Sequence, residues 1–319
     1  MVERIEVVAA AILDGSGRVL ISRRPQHVHL GGKLEFPGGK RELPESTEQT
    51  LARELEEELG IRPTASQPLI RLDYDYPDKS IRLIVYRVHG FVGEPQGREG
   101  QEVAWLDILS LNSGDFPAAN GPIINALKLP ESLLVTPDIP WTGDGASVPL
   151  EALSELIEKR QPQIALLRQP RWPEAIYRRI ATVLSERQAI NWQWKSSALM
   201  GGALPQNVGL HLSARELWDY AERPAELSDQ QWFSASVHNL SELARAEEVG
   251  VDFVVLGSVL ETPTHPSEPG LGWERAQTLI EKAHVPVYLI GGLGLEDMAR
   301  AHRAGAQGIA GIRCFSQAS

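Results

Sequence analysis

Between Gly38 and Ile61 a glycine pair and a short charged turn lead into a segment whose apolar residues recur with helical spacing. Leu51, Leu55 and Leu59 stand at i, i+4 and i+8, Gly60 follows as a stop, and Ser46 or Thr47 is placed to cap the start. The spacing predicts one amphipathic helix. Glu54, Glu57 and Glu58 fall at i, i+3 and i+4 within it, so the three carboxylates share a face beside the leucine stripe. Like charges at that spacing repel. A helix tolerates them by turning them to solvent, or by using their oxygens to hold a hard divalent cation.

The 319 residues suffice for two domains, and 42% apolar with 23% charged residues is an ordinary globular mixture. A net charge of −11 argues against broad binding to nucleic acid polymers, but it leaves a small phosphate-bearing substrate open when a metal mediates. The single Cys314 has no internal disulfide partner. No basic-then-apolar leader follows Met1 and no apolar run reaches about 18 residues, so a cytoplasmic location without membrane insertion is expected.

Ahead of the glycine pair, Arg4 to Ile12 and Arg18 to Ser22 read as a hairpin about the Asp14-Gly15-Ser16-Gly17 turn, with Arg23 and Arg24 at its end. A guanidinium there can clamp phosphate oxygens in bidentate fashion. Beyond the helix, Leu69 to Tyr76 and Ile81 to Val88 read as strands. A polar loop from Gly93 to Gly100 contains Glu94 and Glu99, a short strand covers Val103 to Leu106, and a short helix spans Pro122 to Leu127.

Gly39, five residues, Glu45, seven residues, Arg53-Glu54-Leu55, one residue, Glu57-Glu58, one residue and Gly60-Ile61 resemble the complete signature of the Nudix hydrolases. The resemblance implies an α/β/α sandwich on a mixed sheet. Its loop-helix-loop would bind Mg²⁺ or Mn²⁺ and hydrolyse a nucleoside diphosphate linked to another group. Leu34 to Lys40, Tyr76 to Lys79, Gly93-Glu94-Pro95 and Asp115 to Asn120 are similar to the MutT type, which acts on 8-oxo-dGTP. By that likeness, the Gly38 carbonyl, Glu54, Glu57, Glu58 and Glu99 are the metal ligands, and Glu54, Glu57 and Glu99 are the catalytic carboxylates. Arg24, His29 and Lys40 lie along the phosphates, and Phe36, Asp78 and Lys79 line the substrate. Asn120 reads guanine O6 and the N7–H present only in the oxidised base. Asn120 could instead cap the following helix. Lys79 stands where the family has arginine, which weakens a stacked or forked contact.

From Leu133 the pattern changes to eight short apolar runs alternating with amphipathic helices, ending at Gly308 to Ile312. The expected division is 1–130 and 131–319, and the expected fold class is α/β and α+β, with a C-terminal (β/α)8 TIM barrel. Gly291 and Gly292 after the seventh run and Gly311 after the eighth suit a phosphate site. These stretches, with Ser234 to Asn239 and Gly257 to His265, resemble thiamine phosphate synthase and the thiazole tautomerase TenI. The synthases carry Asn-Asp after the third strand, a Gly-Gln-x-Asp run after His-Leu, and lysine after Thr-Pro-Thr. Here those places hold Asn191-Trp192, Ser213 to Glu216 and His265. With the Mg²⁺ carboxylates replaced, the barrel is expected to be degenerate. It would hold a thiamine-related phosphate, act as a sensor, retain tautomerase chemistry on His238 and His265, or pair two copies as a homodimer. A rival reading of the first domain is hydrolysis of thiamine diphosphate.

Overall fold

A computed structural model of the chain describes residues 4–26, 30–77, 79–141, 143, 147–201, 203–261 and 269–312. The chain divides into two compact units. The first holds the residues through Leu129, with Glu281–His284 and His302–Gly305 grouped with it, and the remainder from Pro130 forms the second.

The first unit runs β1 (Ile5–Leu13), β2 (Arg18–Arg23), β3 (Leu34–Glu35), β4 (Gly38–Lys40), α1 (Thr47–Leu59), β5 (Arg62–Asp75), β6 (Ser80–Val92), β7 (Val103–Asp107) and α2 (Gly121–Lys128). Its sheet is ordered β3-β2-β1-β6-β5, with β4 paired to β1 and β7 to β2. β1 lies parallel to β6 and antiparallel to β2 and β4, so the sheet is mixed. Side chains alternate across a strand, and β1 uses both faces. Val8, Ala10 and Ile12 pack in one core with Leu51, Leu55 and Leu59 of α1. Ala9 and Ala11 join the opposite core with Ile123, Ile124 and Leu127 of α2. Helices on both faces make the expected sandwich. β5 begins at Arg62, earlier than the apolar run from Leu69 implies, because bulges between Pro63 and Ile70 interrupt its alternation against β6.

The second unit runs β8 (Ser132–Val135), α3 (Ser147–Arg160), β9 (Ile164–Leu166), α4 (Glu174–Arg187), β10 (Asn191–Lys195), β11 (Val208–Leu212), β12 (Phe233–Val237), α5 (Leu240–Val249), β13 (Phe253–Gly257), α6 (Trp273–Ile280), β14 (Val287–Ile290), α7 (Met298–Arg303) and β15 (Gly308–Gly311). The eight strands are parallel and close in sequence order into a barrel. Two details differ from the sequence reading. The third barrel strand is Asn191–Lys195, so Asn191 opens it and Ser196-Ser197 occupy its carboxyl end. Among the described residues, the connections after β10 and β11 carry only short 3-10 turns, Ser196–Gly201 and Glu216–Asp219. No helix among the described residues is long and apolar enough to cross a membrane.

Candidate active site

Helix α1 is fixed at both ends by local chemistry. Ser46 Oγ accepts from Gln49 N at 3.2 Å, and Gln49 Oε1 accepts from Ser46 N at 2.7 Å, a reciprocal capping box. Gly60 adopts a left-handed φ of 73° and donates to Glu56 O at 3.1 Å. With its leucines locked against β1, the Glu54–Glu58 edge has one available orientation.

The glycine pair lies directly on that edge. Gly38 N donates to Glu58 Oε2 at 3.0 Å, and a side chain at Gly38 would place its first carbon 2.1 Å from Val8 O. One at Gly39 would sit 2.3 Å from the Glu54 carboxylate. At Gly38 the backbone clash and a φ of 145° admit only glycine, while at Gly39 a side chain would displace the Glu54 carboxylate from its present position.

Arg53 organises the carboxylates. Its guanidinium donates to Glu45 Oε1 and Oε2 at 2.8 and 3.1 Å, to Lys40 O at 3.1 Å, to Glu54 Oε1 at 2.8 Å and to Glu57 Oε2 at 3.1 Å. These bonds to Arg53, with help from Thr50, hold the Glu45 carboxyl down to about 2. The sequence reading gave Arg53 and Glu45 no role beyond the signature, although their eight-residue separation across a helix start was a usable signal.

Glu99 arrives from the loop after β6, drawn in by the free carbonyls at the end of α1. Gln96 N donates to Leu59 O at 3.0 Å, Arg98 N to Glu58 O at 2.9 Å, and Gln101 Nε2 to the same Glu58 O at 3.1 Å. Gln101 Oε1 in turn accepts from Glu99 N at 2.9 Å, and the Glu99 side chain is exposed.

The electrostatics suit an oxygen-seeking cation. Burial pushes the Glu58 carboxyl up to about 8, reinforced by Glu35, Glu54 and Glu99 nearby. Burial raises Glu54 as well, against Arg53 and with Glu57 and Glu99 adding to it. Crowded, partly desolvated carboxylates are stabilised by a divalent ion with oxygen preference, and the donor set fits one. Among the described residues, no three acidic or histidine side chains already converge on one point. Glu54 and Glu57 instead face Arg53, and Glu58 faces Gly38 N.

The predicted substrate residues fall into three groups. Phe36 is buried and stacks on Phe116, with ring centroids 5.5 Å apart at 25°. Asn120 is 8% exposed and its side chain makes no cap hydrogen bond to α2, so the capping alternative is set aside. Arg24 pairs with Glu35, whose carboxyl burial raises. Lys40 is exposed, and Lys79 Nζ sits 5.7 Å from the Tyr76 ring centre. His29 and Asp78 lie outside the described residues.

In the barrel, Gly291 and Gly292 follow β14 with φ of 104° and 69°, and Gly311 ends β15. First carbons at Gly291 and Gly292 would meet Ser258 Cβ at 2.6 Å and Leu260 Cβ at 2.7 Å, so close packing already requires glycine at both. Glu216, the carboxylate nearest the synthase pattern, accepts from Ser196 Oγ and from Ser213 N and Oγ, at 2.8 and 2.6 Å for the last two. Burial raises its carboxyl, but these bonds outweigh it and the net shift is downward. His238 Nδ1 lies 2.9 Å from Glu242 Oε2 at the start of α5, and His265 lies outside the described residues.

A glycine loop on a capped, carboxylate-bearing helix, set on a mixed sheet between two helical layers, defines a metal-dependent phosphoanhydride hydrolase. Residues 8–126 match the NUDIX domain family model, and the chain belongs to the Nudix hydrolases, which generally need a divalent metal. Residues 202–315 match the model of the thiamine monophosphate synthase family. The chain is 40% identical over 126 residues to an Escherichia coli protein named 8-oxo-dGTP diphosphatase, covering 40% of this chain and 98% of that one. It is 36% identical over 80 residues to a putative thiamine-phosphate synthase 2 of Aquifex aeolicus, covering 25% of this chain and 43% of that one. A solved structure from work on MutT of Aliivibrio salmonicida and Vibrio cholerae is 38% identical, covering 39% of this chain and 95% of that one, with a TM-score of 0.34.

Proposed function

We propose that the Nudix unit hydrolyses 8-oxo-dGTP, together with other oxidised or normal nucleoside triphosphates, between the α and β phosphates. The products are the monophosphate and pyrophosphate, and the result is a nucleotide pool cleared of a mutagenic precursor. Asn120 carries this reading: its amide is free of capping duty and stands four residues beyond Phe116, which stacks on Phe36. An amide offers one donor and one acceptor side, which suits guanine O6 and an N7 that bears a proton. Unoxidised guanine would leave a polar atom unmatched there, a loss that can reach about 10⁴ in discrimination.

The Gly38 carbonyl, Glu54, Glu57, Glu58 and Glu99 would hold Mg²⁺, with Mn²⁺ as a substitute. A divalent ion held there would supply charge neutralisation of the triphosphate and a lowered pKa for the attacking water. The remaining roles belong to the chain. Glu54 takes the water's proton, supported by Glu57 and Glu99, while Arg53 holds Glu54 in position. By the family likeness, Arg24, His29 and Lys40 are assigned to the phosphates, and Phe36, Asp78 and Lys79 to base and sugar. Glu54→Gln should remove turnover without loss of fold. Undiminished activity would refute the assignment.

For the barrel, taken as 131–319, we infer ligand holding without synthesis. Glu216 is occupied by Ser196 and Ser213, and the residues that follow the third barrel strand are Ser196-Ser197 rather than an Asn-Asp pair. A thiamine-related phosphate at Gly291, Gly292 and Gly311, a cytoplasmic location and pairing of two barrels complete the proposal. Saturable binding of thiamine phosphate to the full chain without turnover is the expected result. Turnover of thiamine diphosphate in preference to 8-oxo-dGTP would favour the rival reading of the Nudix site.

A further inference from the structure

The stretch that ends on Asn120 has little regular structure of its own. Gly114 N donates to Asn112 Oδ1 at 3.0 Å, Asp115 N to Asn112 O at 3.0 Å, Phe116 N to Ser113 O at 3.2 Å, and Asn120 N to Pro117 O at 2.9 Å. Each of these bonds spans two or three residues. They set the shape of the stretch but leave open where it sits on the sheet.

Two side chains from residues 33 to 36 answer that question. Phe36 stacks on Phe116, a contact that is broad and tolerant of sliding. Lys33, half-buried just ahead of β3, donates from Nζ to the carbonyl oxygens of Gly114 and Phe116, both at 3.1 Å. An ammonium shared between two carbonyls two residues apart is directional and charge-assisted, so it fixes a point where the ring stack fixes only a plane.

We propose that Lys33 is a specificity-positioning residue, whose bridge to the Gly114 and Phe116 carbonyls sets the separation between the Phe36 platform and the Asn120 amide. The inference rests on the reading of Asn120 as the reader of the oxidised base. Asn120 follows Phe116 by four residues, so a shift of the tethered carbonyls is carried to the amide. A displacement near 1 Å is enough to spoil a bidentate contact. The Lys33 ammonium donates to these two carbonyls and to none of the α1 carboxylates, so its removal should spare the hydrolytic step.

The test uses the full chain with Lys33→Met and Lys33→Arg, assayed with 8-oxo-dGTP and dGTP under saturating Mg²⁺, alongside amide hydrogen exchange of the free proteins. Loss of a charge-assisted bridge should raise KM for 8-oxo-dGTP about tenfold and lower its kcat/KM advantage over dGTP by a similar factor, with kcat changed less than about twofold. Lys33→Arg should recover most of the advantage. Exchange at Gly114 to Asn120 should quicken in Lys33→Met while α1 stays protected. An unchanged preference, an equal loss for both nucleotides, or unchanged exchange in that stretch would overturn the proposal. A parent chain with no preference for the oxidised base would sink the substrate reading alone, and the tether would then stand or fall on the exchange data.

Discussion

Arg53 illustrates how much of this site depends on single side chains. One guanidinium serves Glu45, the Lys40 carbonyl, Glu54 and Glu57, a fork that an ammonium cannot reproduce. Arg53→Lys should therefore keep the helix, because the caps and leucines are untouched, while kcat falls on the order of 10²-fold as Glu54 loses its fixed direction. Circular dichroism and steady-state rates on the same sample check this, and a near-normal kcat would contradict it. Asn120→Ala belongs to the same scale. Activity on dGTP should be nearly unaffected, while the preference for 8-oxo-dGTP falls by about 10²-fold or more.

At the scale of elements, α1 was legible because everything that defines it is local: Ser46, Gln49, three leucines and Gly60 lie within one short stretch. Glu99 was legible only through family likeness. What brings it in is a set of donors meeting carbonyls some forty positions earlier in the chain, and no spacing rule encodes that. The third barrel strand was misplaced for a different reason. Trp192 and Trp194 pack in the core with Tyr177 and Leu184 of α4, while Gln193 is fully buried and accepts from Ser234 of β12, two strands away. A polar residue at an inward position hides the strand signal, and the apolar pair Ala189-Ile190 just before it attracts the reading. Lys33 went unassigned because its two carbonyl acceptors lie 81 and 83 positions away, whereas the acceptors of Arg53 all lie within 13 positions of it, on its own helix and the stretch before it. The Gly60 turn yields a prediction at this scale. A side chain there combines a left-handed φ with a contact about 2.4 Å from the Arg98 guanidinium carbon. Gly60→Ala should cost about 1–2 kcal/mol of stability. It should also raise the Mg²⁺ concentration for half-activity, since Arg98 and Glu99 move together. Thermal unfolding and a metal titration read the two effects separately.

For the molecule as a whole, the two units obey different polar logic. The Nudix unit gathers carboxylates whose repulsion calls for a cation, whereas inside the barrel Gln193, His211, Ser234 and Ser236 are joined in one hydrogen-bonded chain. Ser234 Oγ donates to Gln193 Oε1 at 2.9 Å, so His211 Nδ1, 2.9 Å from Ser234 Oγ, is the donor to that hydroxyl. His211 Nε2 then accepts from Ser236 Oγ at 2.8 Å. Burial pushes this imidazole down to about 4 from 6.5. The unfolded chain takes up the proton first as pH falls. The stability owed to neutral His211 is complete above pH 6.5 and lost on the way down through about 4. The loss amounts to about 3 kcal/mol. Denaturant unfolding of the barrel signal between pH 7 and 4 should reveal this slope, and His211→Gln should flatten it. An equal slope in the variant would assign it to other groups.

The proposed arrangement has the α1 carboxylates and Glu99 holding divalent ions against a nucleoside triphosphate so that water cleaves it between the α and β phosphates. It is tested most directly by the products formed from 8-oxo-dGTP by the full chain, with and without Mg²⁺. The expected products are 8-oxo-dGMP and pyrophosphate in equal amounts, and none when the metal is chelated. Orthophosphate as the released product, or undiminished turnover under chelation, would contradict it.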